Sequence, residues 1–123
     1  MNIKTLIIED NENNMYLTSF LLRNNGHDVS QAYNGQDGVE LAKSVQPDLI
    51  LLDIQLPKMN GYEVAMELRK DDALKTVPIV AITSYAMPGD QEKALSAGCS
   101  GYIKKPINPD TFLEEVESYL NKK

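Results

Sequence analysis

Asp48-Leu49-Ile50-Leu51-Leu52-Asp53 decides how this chain of 123 residues folds. Four aliphatic residues in a row read as a strand buried on both faces, the habit of a parallel sheet covered by helices on either side. Asp53 ends that strand, and a carboxylate seldom sits at the mouth of a buried strand without work to do. Other apolar runs end in the same way. Glu9-Asp10 follows Leu6-Ile7-Ile8, Thr83 follows Ile79-Val80-Ala81-Ile82, and Lys104-Lys105 follows Gly101-Tyr102-Ile103. In a parallel sheet these ends share one edge, and that edge is where ligands bind.

Working outward, short runs rich in Ile, Val and Leu alternate with segments of helical period, so five βα units fit the chain. Strands are expected near Lys4–Ile8, His27–Tyr33, Leu49–Leu52, Pro78–Ile82 and Gly101–Ile103. The apolar positions Met15, Leu17, Leu21 and Leu22 mark a first helix, Val39, Ala42 and Val45 a second, Val64 and Leu68 a third. A fourth runs from about Pro88 to Ala97 and stops at Gly98, and a fifth carries Phe112, Val116 and Leu120. Asn34, Asn60 with Glu63 three residues on, and Asn108 before Pro109 read as helix starts.

The length suits one domain burying roughly two-thirds of its unfolded surface. No linker or low-complexity tract is visible, and the reading leaves no room for an output domain. A net charge of -6 argues against sequence-independent binding to nucleic acid. No apolar run approaches the roughly 20 residues of a membrane span, and Met1-Asn2-Ile3-Lys4 leads straight into a strand, so a cytosolic protein is expected. The single cysteine, Cys99, lies among small residues and reads as packing. His27 reads as a surface residue, Lys104 as solvent-facing and Lys122-Lys123 as a solvated tail.

Gathering Glu9, Asp10 and Asp53 at one edge is costly, because two carboxylates about 4 Å apart repel by roughly 4 kcal/mol at an effective dielectric of 20. A divalent cation with oxygen ligands relieves that repulsion, and Mg²⁺ suits a shallow site of one or two carboxylates plus a phosphate. Lys105 adds a fixed ammonium. The loop Glu9-Asp10-Asn11-Glu12-Asn13-Asn14 is acidic where a loop wrapping phosphate would be rich in Gly, Ser or Thr, and neither a P-loop nor a dinucleotide fingerprint occurs. A carboxylate, a magnesium ion, a lysine and a hydroxyl are what phosphoryl transfer to a carboxylate requires. Asp53 is then the nucleophile, with Lys105 and the Thr83 hydroxyl each taking a phosphoryl oxygen.

The acidic pair Glu9-Asp10, Asp53 in Leu51-Leu52-Asp53-Ile54-Gln55-Leu56-Pro57, Gly61, Thr83 and Tyr102-Ile103-Lys104-Lys105-Pro106 occur in order across the whole chain. In this the sequence resembles the CheY-like receiver domains of two-component response regulators. The phrases Glu9-Asp10-Asn11-Glu12-Asn13-Asn14-Met15 and Asp53-Ile54-Gln55-Leu56-Pro57 look closest to the DivK type of cell-cycle and polarity regulators. The resemblance implies a flavodoxin-like (βα)5 fold, doubly wound, with strand order 2-1-3-4-5. It implies Mg²⁺ held by Asp10, Asp53 and the backbone carbonyl of Gln55, with Glu9, which stands where the family often has Asp, assisting through water. A cis peptide before Pro106, aiming Lys105 into the site, is implied too.

The same resemblance implies a stand-alone regulator that takes a phosphoryl group on Asp53 from a histidine kinase or a histidine phosphotransferase, without being a dedicated turnover enzyme. Thr83 would then move toward the phosphoryl group and Tyr102 would turn inward. The face of the fourth helix, fifth strand and fifth helix would report the change to a downstream protein. Gln55 and Tyr85 would flank the path of the attacking water. Three other readings start from the same residues. One is a receiver module cut from a hybrid histidine kinase. Another is an aspartate-nucleophile phosphatase, which would want an acid where Gln55 stands. The third is an FMN-binding flavodoxin-like carrier, against which the acidic first loop speaks.

Overall fold

The computed structural model describes residues 3–84 and 89–120. Among these residues five strands and five helices alternate: β1 (Ile3–Ile8), α1 (Glu12–Arg23), β2 (His27–Ala32), α2 (Gly35–Val45), β3 (Leu49–Asp53), α3 (Gly61–Arg69), β4 (Ile79–Thr83), α4 (Asp90–Ala97), β5 (Gly101–Lys104) and α5 (Phe112–Leu120). One 3-10 turn, Asp72–Leu74, follows α3 and was not expected from periodicity. All strands are parallel, in the order β2-β1-β3-β4-β5.

Every residue of β3 and β4 is buried, as their unbroken apolar runs require of central strands covered on both faces. Alternate side chains feed two separate cores. Leu6, Ile8, Ile50, Leu52, Ile79 and Ala81 pack with Val39, Ala42, Val64, Leu68, Ala94 and Ala97 under α2, α3 and α4. Ile7, Leu49, Leu51, Val80, Ile82 and Ile103 pack with Met15, Leu22, Phe112 and Val116 under α1 and α5.

The helix starts follow local chemistry. The Asp37 N–H donates to Asn34 Oδ1 at 2.8 Å, and Asn60 with Glu63 forms a reciprocal capping box, N–H to side-chain oxygen in both directions at 3.0 and 3.1 Å. Asn11 caps α1 in the same way, accepting from the Asn14 N–H at 2.9 Å. Asn108 heads a turn that precedes α5, its carbonyl accepting from the Phe112 N–H.

Two expectations need correction. In α1 the buried face is Met15, Thr18, Ser19 and Leu22, while Leu17 and Leu21 are half-buried. Thr18 can be buried because its hydroxyl donates to the Asn14 carbonyl at 2.8 Å, and Ser19 because its Oγ accepts from Gln31 on β2 at 2.9 Å. His27 is buried, not on the surface. It opens β2 opposite Ile3, and its Nδ1 lies 2.8 Å from Thr5 Oγ1, which gives a buried imidazole one polar partner. Lys104 is exposed and Cys99 buried, both as expected. Tyr85, the start of the fourth helix at Pro88, and Lys122-Lys123 lie outside the described residues.

Candidate functional site

Because the strands are parallel, Glu9, Asp53 and Thr83 all come to the carboxyl edge of the sheet, the last two at the ends of neighbouring strands. Glu9 and Asp53 are almost wholly withdrawn from water, at 4% and 3% exposure, while Asp10 stands exposed at the rim. One oxygen from each of the three carboxylates lies within 4.8 Å of the others. Three negative groups at that spacing, two of them buried, form a donor set of hard oxygens suited to a divalent cation.

Lys105 reaches the buried pair from the far side, its Nζ 3.2 Å from Glu9 Oε1 and 3.4 Å from Asp53 Oδ2. It follows β5, and the Lys105–Pro106 peptide is cis, as the resemblance implied. The Lys105 N–H donates to the Thr83 carbonyl at 2.8 Å, fixing the backbone from which the ammonium extends. The Asp53 carboxylate is aimed from its own loop: Oδ1 accepts the Gln55 N–H at 2.9 Å, leaving Oδ2 toward Lys105. Gly61 is packed onto the same loop. A Cβ there would stand 2.7 Å from the Asp53 carbonyl oxygen, so only glycine lets α3 begin this close to the end of β3.

One lysine does not neutralise this cluster. Burial, then the hydrogen bond and charge of Asp53, push the Glu9 carboxyl up to about 7, although Lys105 and the Asn11 N–H pull the other way. Glu9 Oε2 accepts that Asn11 N–H at 3.2 Å. The site holds more negative charge than its own cation offsets, as a site for an added cation should.

The profile of the response regulator receiver domain matches residues 5–117. The chain belongs to that family. Two curated relatives are polar-differentiation response regulators DivK. That of Brucella anthropi is 44% identical over 115 residues, 94% of each chain, and that of Brucella ovis is 42% identical over 120 residues, 98% of each. Among solved structures, the chemotaxis protein CheY4 of Vibrio cholerae superposes with a TM-score of 0.93 at 26% identity, covering 97% of this receiver and 99% of that chain. The receiver domain of the sensor histidine kinase PA1611 from Pseudomonas aeruginosa matches with a TM-score of 0.90 at 30% identity, covering 99% and 100%. The latter structure has a magnesium ion coordinated in its active-site cleft.

Tyr102 of the receiver lies on β5, half-buried against the core beneath α4, and its carbonyl faces the Tyr119 hydroxyl at 3.4 Å. It is set back from the acidic cluster, one register step behind Ile103. Gln55 is exposed, and its side chain turns toward the loop after β4, where Oε1 accepts the Ser84 hydroxyl hydrogen at 2.6 Å.

Sequence reasoning missed that contact and missed Arg69. The Arg69 guanidinium donates to the carbonyls of Gly98, Leu74 and Val77 at 2.7 to 2.8 Å, tying the ends of α3 and α4 to the entry of β4. Its sequence signal is weak, a basic residue in the last turn of a helix, which is common for reasons of dipole alone. Among the described residues, no helix is long and apolar enough to cross a membrane.

Proposed function

We propose that this receiver is a stand-alone, cytosolic response regulator that accepts a phosphoryl group on Asp53 in a Mg²⁺-dependent reaction. One observation carries the reading: a buried aspartate, oriented by the Gln55 N–H and faced by Lys105, shares a cluster of three carboxylates at the mouth of the sheet. The donors fit the ion. Asp10, Asp53 and the backbone carbonyl of Gln55 would hold it, with Glu9 assisting through water; when bound, it supplies positive charge beside the transferring phosphoryl oxygens.

The chain's own groups do the rest. Asp53 is held in place before reaction, so little reorganisation is needed when one of its oxygens attacks phosphorus. The P–O bond forms as the P–N bond of a partner's phosphohistidine breaks, and that electron pair leaves with the imidazole. The Lys105 ammonium, 3.4 Å from Asp53, balances the added negative charge, and the Thr83 hydroxyl takes a further phosphoryl oxygen. Drawing Thr83 inward opens space for the Tyr102 ring. The surface of α4, β5 and α5 then changes shape for a downstream protein.

The donor is a histidine kinase or a histidine phosphotransferase, and no nucleic acid or membrane partner is needed. A receiver module of a hybrid kinase shares this chemistry, and the match to the PA1611 receiver domain supports that second reading of its cellular setting. An aspartate-nucleophile phosphatase is disfavoured because Gln55, two residues past Asp53, is an amide with no ionisable proton to serve as a general acid.

Incubation with Mg²⁺ and acetyl phosphate should add one hydroxylamine-labile phosphate, lost in Asp53→Asn and with chelator. Absence of labelling under those conditions would overturn the assignment.

A further inference from the structure

Beside the acidic cluster the loops after β3 and β4 are tied together by one side-chain contact. Gln55 Oε1 accepts the Ser84 hydroxyl hydrogen at 2.6 Å and faces the Ser84 N–H at 3.5 Å. The first is a short hydrogen bond, the second lies at the outer limit. Asp53 pairs with Ile82 in the sheet, and Gln55 and Ser84 stand two residues beyond these partners, so the contact lies level across the mouth next to Asp53. Both residues are exposed, and neither appears in either core. The contact therefore fills no interior space.

Its chemistry is what singles it out. The donors in use are a hydroxyl and a backbone N–H in the loop two residues past the strand partner of the reacting carboxylate, and the acceptor is a neutral amide oxygen. An anionic phosphoryl oxygen is the stronger acceptor for such donors, because charge-assisted hydrogen bonds are roughly twice as strong as neutral ones. The backbone of Gln55 has a separate task, since its N–H orients Asp53 Oδ1. Side chain and main chain of one residue thus serve opposite states of the site.

We propose that the Gln55 side chain is an internal competitor for the phosphoryl group, holding the Ser84 donors until a phosphoryl oxygen displaces it. Gln55 and Ser84 are positioning residues in this scheme, and it rests on the phosphoryl-accepting reading of Asp53. With Gln55 in place, each phosphodonor meets a site whose Ser84 donors are already satisfied, so occupancy requires an exchange of acceptors. Without it, the donors face water and are free for the incoming group.

The test uses the full chain with Mg²⁺ and beryllofluoride, a phosphoryl mimic, followed by tyrosine fluorescence or by the Ser84 amide resonance. Gln55→Ala should tighten beryllofluoride binding about threefold to tenfold, the range spanned by one net hydrogen bond. The concentration of acetyl phosphate that half-saturates labelling should fall by the same factor. In a Ser84→Ala background the Gln55→Ala change should shrink to less than about twofold, and in Ser84→Thr, which keeps the hydroxyl, it should return. A merely structural contact would not give that pattern of loss and rescue. Unchanged or weaker binding in Gln55→Ala, or an equal gain with and without the Ser84 hydroxyl, would overturn the competitor. A wild-type chain that binds no beryllofluoride and takes no phosphate overturns the phosphoryl-accepting reading itself, and the competitor with it.

Discussion

Replacing Asp53 with Asn keeps the shape of the site and removes one buried negative charge, so its effect on stability can be worked from the geometry. At about pH 8, Glu9, whose carboxyl is pushed up to about 7, is mostly ionised. An oxygen of Glu9 lies within 4.8 Å of one of Asp53, a repulsion of at least about 3.5 kcal/mol at an effective dielectric of 20. Asp10 adds to it, weakened by its exposure to solvent. Lys105 at 3.4 Å attracts Asp53 by about 5 kcal/mol on the same scale. These terms nearly cancel. What remains is the cost of keeping a carboxylate out of water at 3% exposure, several kcal/mol for an ion and much less for an amide. In chelator, Asp53→Asn should therefore be more stable than the native chain by about 1–3 kcal/mol, a rise in urea midpoint of roughly 0.5–1.5 M. Adding Mg²⁺ should reverse the order: at about 1,000 times its Kd the ion stabilises the native chain by ~4.1 kcal/mol, and the variant, with one of the three clustered carboxylates gone, by far less. Urea unfolding followed by far-ultraviolet circular dichroism, with and without the ion, reads both. A variant less stable than the native chain in chelator, or equal stabilisation of the two by Mg²⁺, would show that Asp53 is not a charge under strain awaiting a cation.

Other substitutions probe the frame around the site. Arg69→Leu removes donors from three carbonyls that then lack partners, and should destabilise the fold by about 3–5 kcal/mol in urea titration, with Arg69→Lys restoring only part because an ammonium cannot span the same acceptors. Gly61→Ala pushes a methyl against the Asp53 carbonyl and should cost about 1–3 kcal/mol while slowing acetyl phosphate labelling, since it shifts the backbone that carries the proposed acceptor Asp53. Burial lowers the His27 pKa below 6.5 despite the nearby Glu117 charge, so the unfolded chain binds more protons in that window. Stability is full above about pH 6.5 and declines as pH falls below it, a slope that His27→Gln should flatten in urea series run from about pH 7.5 to about pH 5. Burial also pushes the Cys99 thiol up to about 11, so a thiol reagent at about pH 8 should react only at the rate of opening, and at once in denaturant.

Most of the frame could be read from the sequence because its strongest signals are one-dimensional. Unbroken runs such as Leu49–Leu52 mark a central strand, and each Asn that starts a helix bonds a partner three residues on, so α2 and α3 begin where Asn34 and Asn60 require. The acidic cluster was legible for a related reason: in a parallel sheet, strand ends meet at one edge whatever the loops do. What stayed hidden depends on residues far apart in the chain. Arg69 meets Gly98 and His27 meets Thr5 across 29 and 22 positions, and neither carries a local pattern. Thr18 and Ser19 gave no apolar signal, their burial resting on hydroxyls satisfied by neighbours that hydropathy cannot see. The Gln55 to Ser84 contact joins two loops, where periodicity says nothing.

The helix α4 touches the core through two alanines, Ala94 and Ala97, whereas α5 inserts Phe112 and Val116. A methyl group reaches less far into the core than an aromatic ring, so α4 is held by shallower packing than α5. Its far end is another matter, since Arg69 grips the Gly98 carbonyl just past the last turn. Were α4 to shift, that hydrogen bond would hold its Gly98 end and leave the Gly89 end to travel.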